Sequence, residues 1–205
     1  MILTKQFYNR PALRVAQDLL GCFLIKTSPR PLLGRRGSKA TKVMKFKIVE
    51  TEAYHGPNDL ASHASRGKTE RNQVMFDEPG LIYVYFTYGL HFMLNIVTGK
   101  RGYPAAVLIR AVEPVDLKFN NQKSKIKNLK FNGPARLTKA LKINKTWNGR
   151  LIYTKKHGLW ITGREQDIKP SDIIKTTRIG VDYAGKYKDK KWRFYIKDNK
   201  FVSKK

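Results

Sequence analysis

Met44, Phe46, Ile48, Glu50, Glu52 and Tyr54 fall at every second position of residues 43–54. That spacing predicts a strand that carries all six side chains on one face. The face begins apolar and ends in two carboxylates and an aromatic ring. A carboxylate on such a face is either paired with a cation, or desolvated and held for proton chemistry. The rest of the chain is organised around this stretch.

Residues 11–21 predict a helix. Leu13, Ala16 and Leu20 recur at helical spacing, Pro11 suits the first turn and Gly21 the stop. A short strand is expected over 22–26, with Cys22 as a small buried apolar residue. Residues 57–65 hold a short helical turn carrying His63. Residues 81–86 and 91–97 read as a hairpin, with Gly89 supplying the turn. Tyr88 then stands close to the tip. Either it folds back onto its own hairpin, or it serves as a wedge or stacking group for bases.

Residues 105–111 form a dense apolar strand interrupted only by Arg110. A cation inside such a run pairs with a buried carboxylate or reaches a site, and Glu50 and Glu52 are the candidates. A helix is expected from Gly133-Pro134 through Leu141. Its N-terminal amides either hold a phosphate or simply open a capped surface helix. Strands are expected over 151–153, 159–162 and 192–196, and a turn-rich segment over 178–185.

Charge narrows the partner. Lys plus Arg number 42 against 15 Asp plus Glu, a net charge of +27 over 205 residues. Polyanions follow: nucleic acid first, an anionic membrane surface second. Three segments read as basic stretches: a loop insertion over 27–42, a connector over 116–130 and a tail over 198–205. No apolar run is long enough to span a membrane, and the N-terminus lacks the layout of a secretory signal. A lone Cys22 excludes intrachain disulfides and suits a reducing compartment. One Cys and four scattered His assemble no zinc-ligand spacing, so neither metal nor cofactor is expected. Phosphate-binding loop, dinucleotide fingerprint and serine elbow are all missing from the sequence. What remains is a carboxylate, aromatic rings and a basic surface. That set suits breaking a glycosidic bond in nucleic acid, where a carboxylate stabilises a cationic sugar or deprotonates water.

The sequence resembles the alkyladenine (3-methyladenine) DNA glycosylase family over nearly its whole length. The resemblance is carried by Ile48-Val49-Glu50-Thr51-Glu52-Ala53-Tyr54, Met75-Phe76, Pro79-Gly80, Tyr83-Val84-Tyr85, Tyr88-Gly89, Asn95-Ile96, Leu108-Ile109-Arg110-Ala111 and Gly133-Pro134. Arg178-Ile179-Gly180-Val181 and Ala184-Gly185 extend it. It implies one α+β domain over 1–205: a mixed, largely antiparallel curved sheet flanked by helices, with a protruding hairpin that inserts into DNA. It also implies a monofunctional enzyme of base excision repair that flips a damaged purine out of double-stranded DNA and leaves an abasic site. The expected protein is a monomer, in a bacterial cytoplasm and nucleoid or a eukaryotic nucleus or organelle.

By the same resemblance, Glu52 is the general base. Arg110 and the backbone carbonyl of Ile179 help hold the hydrolytic water. Tyr54 forms one wall of the base pocket, with His63 and Tyr85 forming the other. Asn95 disfavours guanine, and Tyr88 inserts through the minor groove. Glu50, on the same expected face, is structural and pairs with a cation. Two departures stand out: residues 27–42 are longer than the family's usual connector, and His91 occupies a position where an aromatic or apolar residue is common. Two other classes compete, a non-catalytic basic nucleic-acid-binding protein and a glycosidase of free nucleosides. The first does not require Glu52, Arg110 and the aromatic trio together, and the second has little use for such a charge.

Overall fold

A computed structural model describes residues 1–27, 43–87, 89–115 and 129–205, with the backbone alone of 32–33 and 39–40. Tyr88 and most of the loops expected over 27–42 and 116–130 lie outside the described residues. Of the first loop, β2 (Leu32–Leu33) and β3 (Lys39–Ala40) pair as a minimal antiparallel ladder.

The expected α+β fold is observed. Its centre is β4 (Val43–His55), thirteen residues long. The sheet runs β5 (Ile82–Thr87), β6 (His91–Val97), β7 (Ala105–Pro114), β4, β1 (Phe23–Thr27), β8 (Leu159–Thr162). Two further strands, β9 (Ile173–Thr176) and β10 (Arg193–Ile196), join through a β10–β4 ladder, and the sheet pairings are antiparallel.

β4 changes neighbour halfway along. Val43 to Lys47 pair with β1, while Glu50 to Glu52 pair with β10. Between them its register against β7 shifts twice, at Ile48/Glu50 and at Glu50/Thr51. This corrects the expectation of one continuous face from Met44 to Tyr54. The first shift adds a residue on β4 and the second one on β7, so the register is restored while period-two alternation changes sides on both strands. Phe46, Ile48 and Ala53 share one apolar core, and the Thr51 hydroxyl donates to the Ala16 carbonyl at 2.8 Å on that same side. Glu50, Glu52 and Tyr54 therefore face away from the core that Phe46 and Ile48 enter.

That core is closed by α2 (Ala12–Asp18), which follows the short α1 (Lys5–Tyr8). Val15, Ala16, Leu19 and Leu20 are fully buried against Ile48, Val107 and Ile109. Each large apolar side chain so buried contributes about 1.5–3 kcal/mol. The helix ends at Asp18, short of the stop expected at Gly21, and the chain turns over residues 19–21. Gly21 sits at φ +79°, and a side chain there would collide with Ile168. On the other flank α3 (Pro134–Ala140) starts with proline in its first turn and is tied to β6 by the Thr138 hydroxyl, which donates to the Phe92 carbonyl at 2.7 Å.

Three expectations about the second half need revision. Residues 151–153 make only an isolated bridge, Leu81 to Leu151, instead of a strand. β9 was not anticipated, because its partner is a distant strand. The segment after β10, read as a basic tail, folds back: Val202 is buried and Ser203 reaches Glu50. No helix among the described residues is long and apolar enough to cross a membrane.

Candidate active site

Past the bulge, β4 carries Glu50 and Glu52 into the protein with no exposure at either side chain. β7 runs alongside and supplies Arg110, as the sequence predicts. Its Nε lies 3.0 Å from Glu50 Oε1 and one terminal nitrogen 3.1 Å from Glu52 Oε2. Burial works against the Arg110 charge, but Glu52 and Glu50 outweigh it and raise its pKa.

The two carboxylates are treated differently. Glu50 Oε1 accepts from Arg110, Arg193 and the Ser203 hydroxyl, and Oε2 from the Ser203 amide at 2.6 Å. Three of the four crowd onto Oε1, and Oε2 receives one. Glu52 Oε2 accepts from the Tyr54 hydroxyl at 2.9 Å and pairs with Arg110, while Oε1 takes the Ile179 amide at 2.8 Å. Among the described residues Glu52 thus has three donors and capacity for one more, on Oε1.

In front of Glu52 opens a cavity of about 300 Å³. That is the lower end of small-molecule sites, about 300–1,000 Å³, and suits one base-sized group. Tyr54, His63, Tyr85, Asn95, Arg110 and Ile179 all line it. Glu52 is not part of the lining. It lies one layer behind, touching three residues that are.

The far wall is built by the hairpin and by the 3-10 turn His63–Arg66. Tyr83 and Tyr85 sit two apart on β5, and the His63 and Tyr85 rings meet edge to face with centroids 4.3 Å apart. His63 Nδ1 is 3.0 Å from the Tyr83 hydroxyl. Burial, then the nearby Arg71, hold the His63 pKa down at about 4, so the ring is neutral near pH 7. Burial likewise raises the Tyr83 phenol to about 12 and pushes Tyr85 upward. Asn72 donates to the His63 carbonyl at 2.9 Å and fixes the main chain there. Asn95 donates to the Tyr83 carbonyl at 3.2 Å.

Behind Tyr54 stands a second buried ion pair. Arg178 grips Asp59 with both terminal nitrogens, at 2.6 and 2.8 Å, and donates to the Ala53 carbonyl at 2.9 Å. Its guanidinium packs on the rings of Tyr54 and Trp192. The next residue in the chain is Ile179, so this pair anchors the turn that reaches Glu52. Burial first, then the adjacent Glu52 charge, raise the Tyr54 pKa well above that of a free phenol and keep its hydroxyl a donor.

The structure thus gathers seven of the eight residues singled out in the sequence; the eighth, Tyr88, is outside the described residues. His91 is exposed and pairs with Thr87 across the hairpin. Sequence reasoning gave no role to Tyr83, Asp59, Arg178, Arg193 or Ser203. Tyr83 carried a usable signal, its two-residue spacing from Tyr85. The others are defined by partners far away in the chain. No group of three or more His, Cys, Asp or Glu among the described residues is placed to hold a metal ion.

A family model described as methylpurine-DNA glycosylase matches residues 6–200. A protein of Carboxydothermus hydrogenoformans named "Putative 3-methyladenine DNA glycosylase" is 47% identical, with both chains covered in full. One of the same name from Clostridium botulinum is 43% identical, again over the whole of both chains. Another, from Methanocella arvoryzae, is 42% identical over 99% of this chain and 96% of its own length. On the strength of a match that spans nearly all of its residues, this chain belongs to the methylpurine-DNA glycosylase family.

Proposed function

We propose that this chain is a monofunctional DNA glycosylase of base excision repair, hydrolysing the N-glycosidic bond of damaged purines in double-stranded DNA. The family match and the names of the relatives support a DNA glycosylase and an N-glycosyl hydrolase. The observation that carries the mechanism is the contrast between the carboxylates. Glu50 receives four donors, whereas Glu52 receives three, all from residues that line the aromatic cavity, and sits directly behind it.

The basic surface holds phosphates of the duplex. Tyr88 enters the stack as the damaged nucleotide turns out, and the base enters the cavity. Tyr54 forms one face of the slot, His63 and Tyr85 the other. A neutral His63 and two protonated phenols put no positive charge beside the base, and their ring faces suit an alkylated purine that carries one. The rigid main chain at His63 reads the base edge, and Asn95 disfavours the exocyclic amine of guanine. Water held by Arg110 and the Ile179 carbonyl gives a proton to Glu52 and attacks the sugar anomeric carbon. The base leaves and an abasic site remains. With no lysine assigned a covalent role, the enzyme does not itself cut the strand.

The test is incubation with duplex oligonucleotides carrying one lesion each: an alkylated purine, deaminated adenine or an etheno adduct. Strand breaks should appear only after hot alkali, and activity should fall steeply with salt. Tight duplex binding with no alkali-labile site on any lesion would leave a binding protein instead. Activity on free nucleosides that ignores salt would indicate the nucleoside class.

A further inference from the structure

Glu50 is buried and holds four donors, yet the mechanism above gives it no chemical step. Its donors come from three separated places in the chain: Arg110 on β7, Arg193 on β10 and Ser203 beyond β10. The last of these is the notable one. Ser203 gives Glu50 both its amide, at 2.6 Å, and its hydroxyl, at 2.9 Å, and the neighbouring Lys204 carbonyl accepts from Arg193 at 2.7 Å. Val202 is buried beside them, and Asn199 donates to Glu113 on β7 at 2.9 Å. The segment is therefore pinned at both ends, with its polar atoms aimed at one carboxylate.

Glu50 in turn sets the orientation of Arg110. The guanidinium is planar, so fixing Nε against Glu50 fixes the direction of the terminal nitrogens that meet Glu52. Without that anchor, Arg110 would be free to rotate toward Glu52, the one other carboxylate it touches. It would then hold both the carboxylate and any adjacent water at the wrong angle.

We infer that residues 199–204 form a clasp whose Ser203, acting through Glu50 and through the 3.5 Å bond its hydroxyl accepts from an Arg110 terminal nitrogen, is a positioning element for Arg110 and hence for the attack of water at Glu52. The inference rests on the proposed role of Glu52 and extends it to a part of the chain with no contact to the base.

Single-turnover excision separates positioning from folding and binding. Ser203→Ala removes the hydroxyl and leaves the amide. Its single-turnover rate constant should fall about tenfold, in line with rate losses of up to about a hundredfold for small misplacements. Lesion-duplex Kd should stay at the wild-type value and Tm should fall only by the few degrees that one lost hydrogen bond costs, and Ser203→Thr, which keeps the hydroxyl, should restore both rate and Tm. Glu50→Gln provides the second variant, with a fall of about a hundredfold at unchanged Kd. A wild-type rate in Ser203→Ala overturns the clasp. So does a lost rate that tracks lowered Tm or weakened Kd and is not rescued by threonine. Glu52→Gln serves as the reference: if it still excises, the proposed base fails, whereas if it is dead and Ser203→Ala is normal, only the clasp fails.

Discussion

The two walls of the cavity are electrostatically opposite. On the β4 side the buried charged side chains are paired. Glu50 and Glu52 share Arg110, Arg193 closes on Glu50, and Asp59 is held by Arg178. On the hairpin side burial has the other outcome. His63, Tyr83 and Tyr85 lose their tendency to charge and stay neutral. Desolvation disfavours charge in both places, and an opposite charge within a few ångströms decides whether it prevails. The division suits a reaction in which charge develops on the sugar and water while the base is only gripped. One wall supplies fixed charge, and the other supplies ring faces.

The comparison is broken most severely at Glu52. Glu52→Gln keeps the shape and the acceptor oxygen for Ile179 but removes the base. Single-turnover excision should fall by about 100- to 10,000-fold, with lesion-duplex binding retained. Excision within a few-fold of wild type would remove the chemistry from the charged wall altogether.

The next effect falls on stability. The side chains of Asp59 and Arg178 are both fully buried. Asp59→Ala strands the guanidinium and should cost about 3–5 kcal/mol in urea-unfolding free energy. Replacing both members with apolar residues, Asp59→Leu with Arg178→Met, should recover most of that loss. A double variant no better than Asp59→Ala would mean the pair is not the source of the deficit.

How much of this was legible follows from distance along the chain. β4, the 82–97 hairpin and the buried Arg110 announce themselves locally, through period-two spacing and one cation in an apolar run. The bulge does not. Its position depends on β1 giving way to β10 along one edge, and β10 lies some 140 residues further on, as the Arg193–Glu50 separation of 143 shows. The same holds for Asp59 with Arg178, 119 apart, and Glu50 with Ser203, 153 apart. A local pattern says that a buried charge needs a partner. Only the closed sheet says which one. Hence Glu50 and Glu52 looked equivalent by spacing, and what separates them is the count of donors each receives after folding.

The smallest effects lie on the neutral wall, and pH separates its two causes. Tyr83→Phe deletes the hydroxyl beside His63 Nδ1 and should cost about 1 kcal/mol. Burial, not this hydroxyl, is the main reason His63 resists protonation, so that cost should be nearly the same at pH 7.5 and pH 5. His63→Gln should behave differently. The unfolded chain protonates its imidazole near pH 6.5, whereas the folded protein waits until about 4. Between those values the unfolded state binds the extra proton, so the wild type loses stability as pH falls through the window and regains it as pH rises. The glutamine variant lacks that loss. Its deficit against wild type should be greatest above pH 6.5 and shrink toward pH 4. Urea titrations of the three proteins at half-unit pH steps give the measurement. A His63→Gln deficit that stays flat across the window would mean the ring titrates in the folded protein as it does in the unfolded chain, and burial would not be what sets this wall apart.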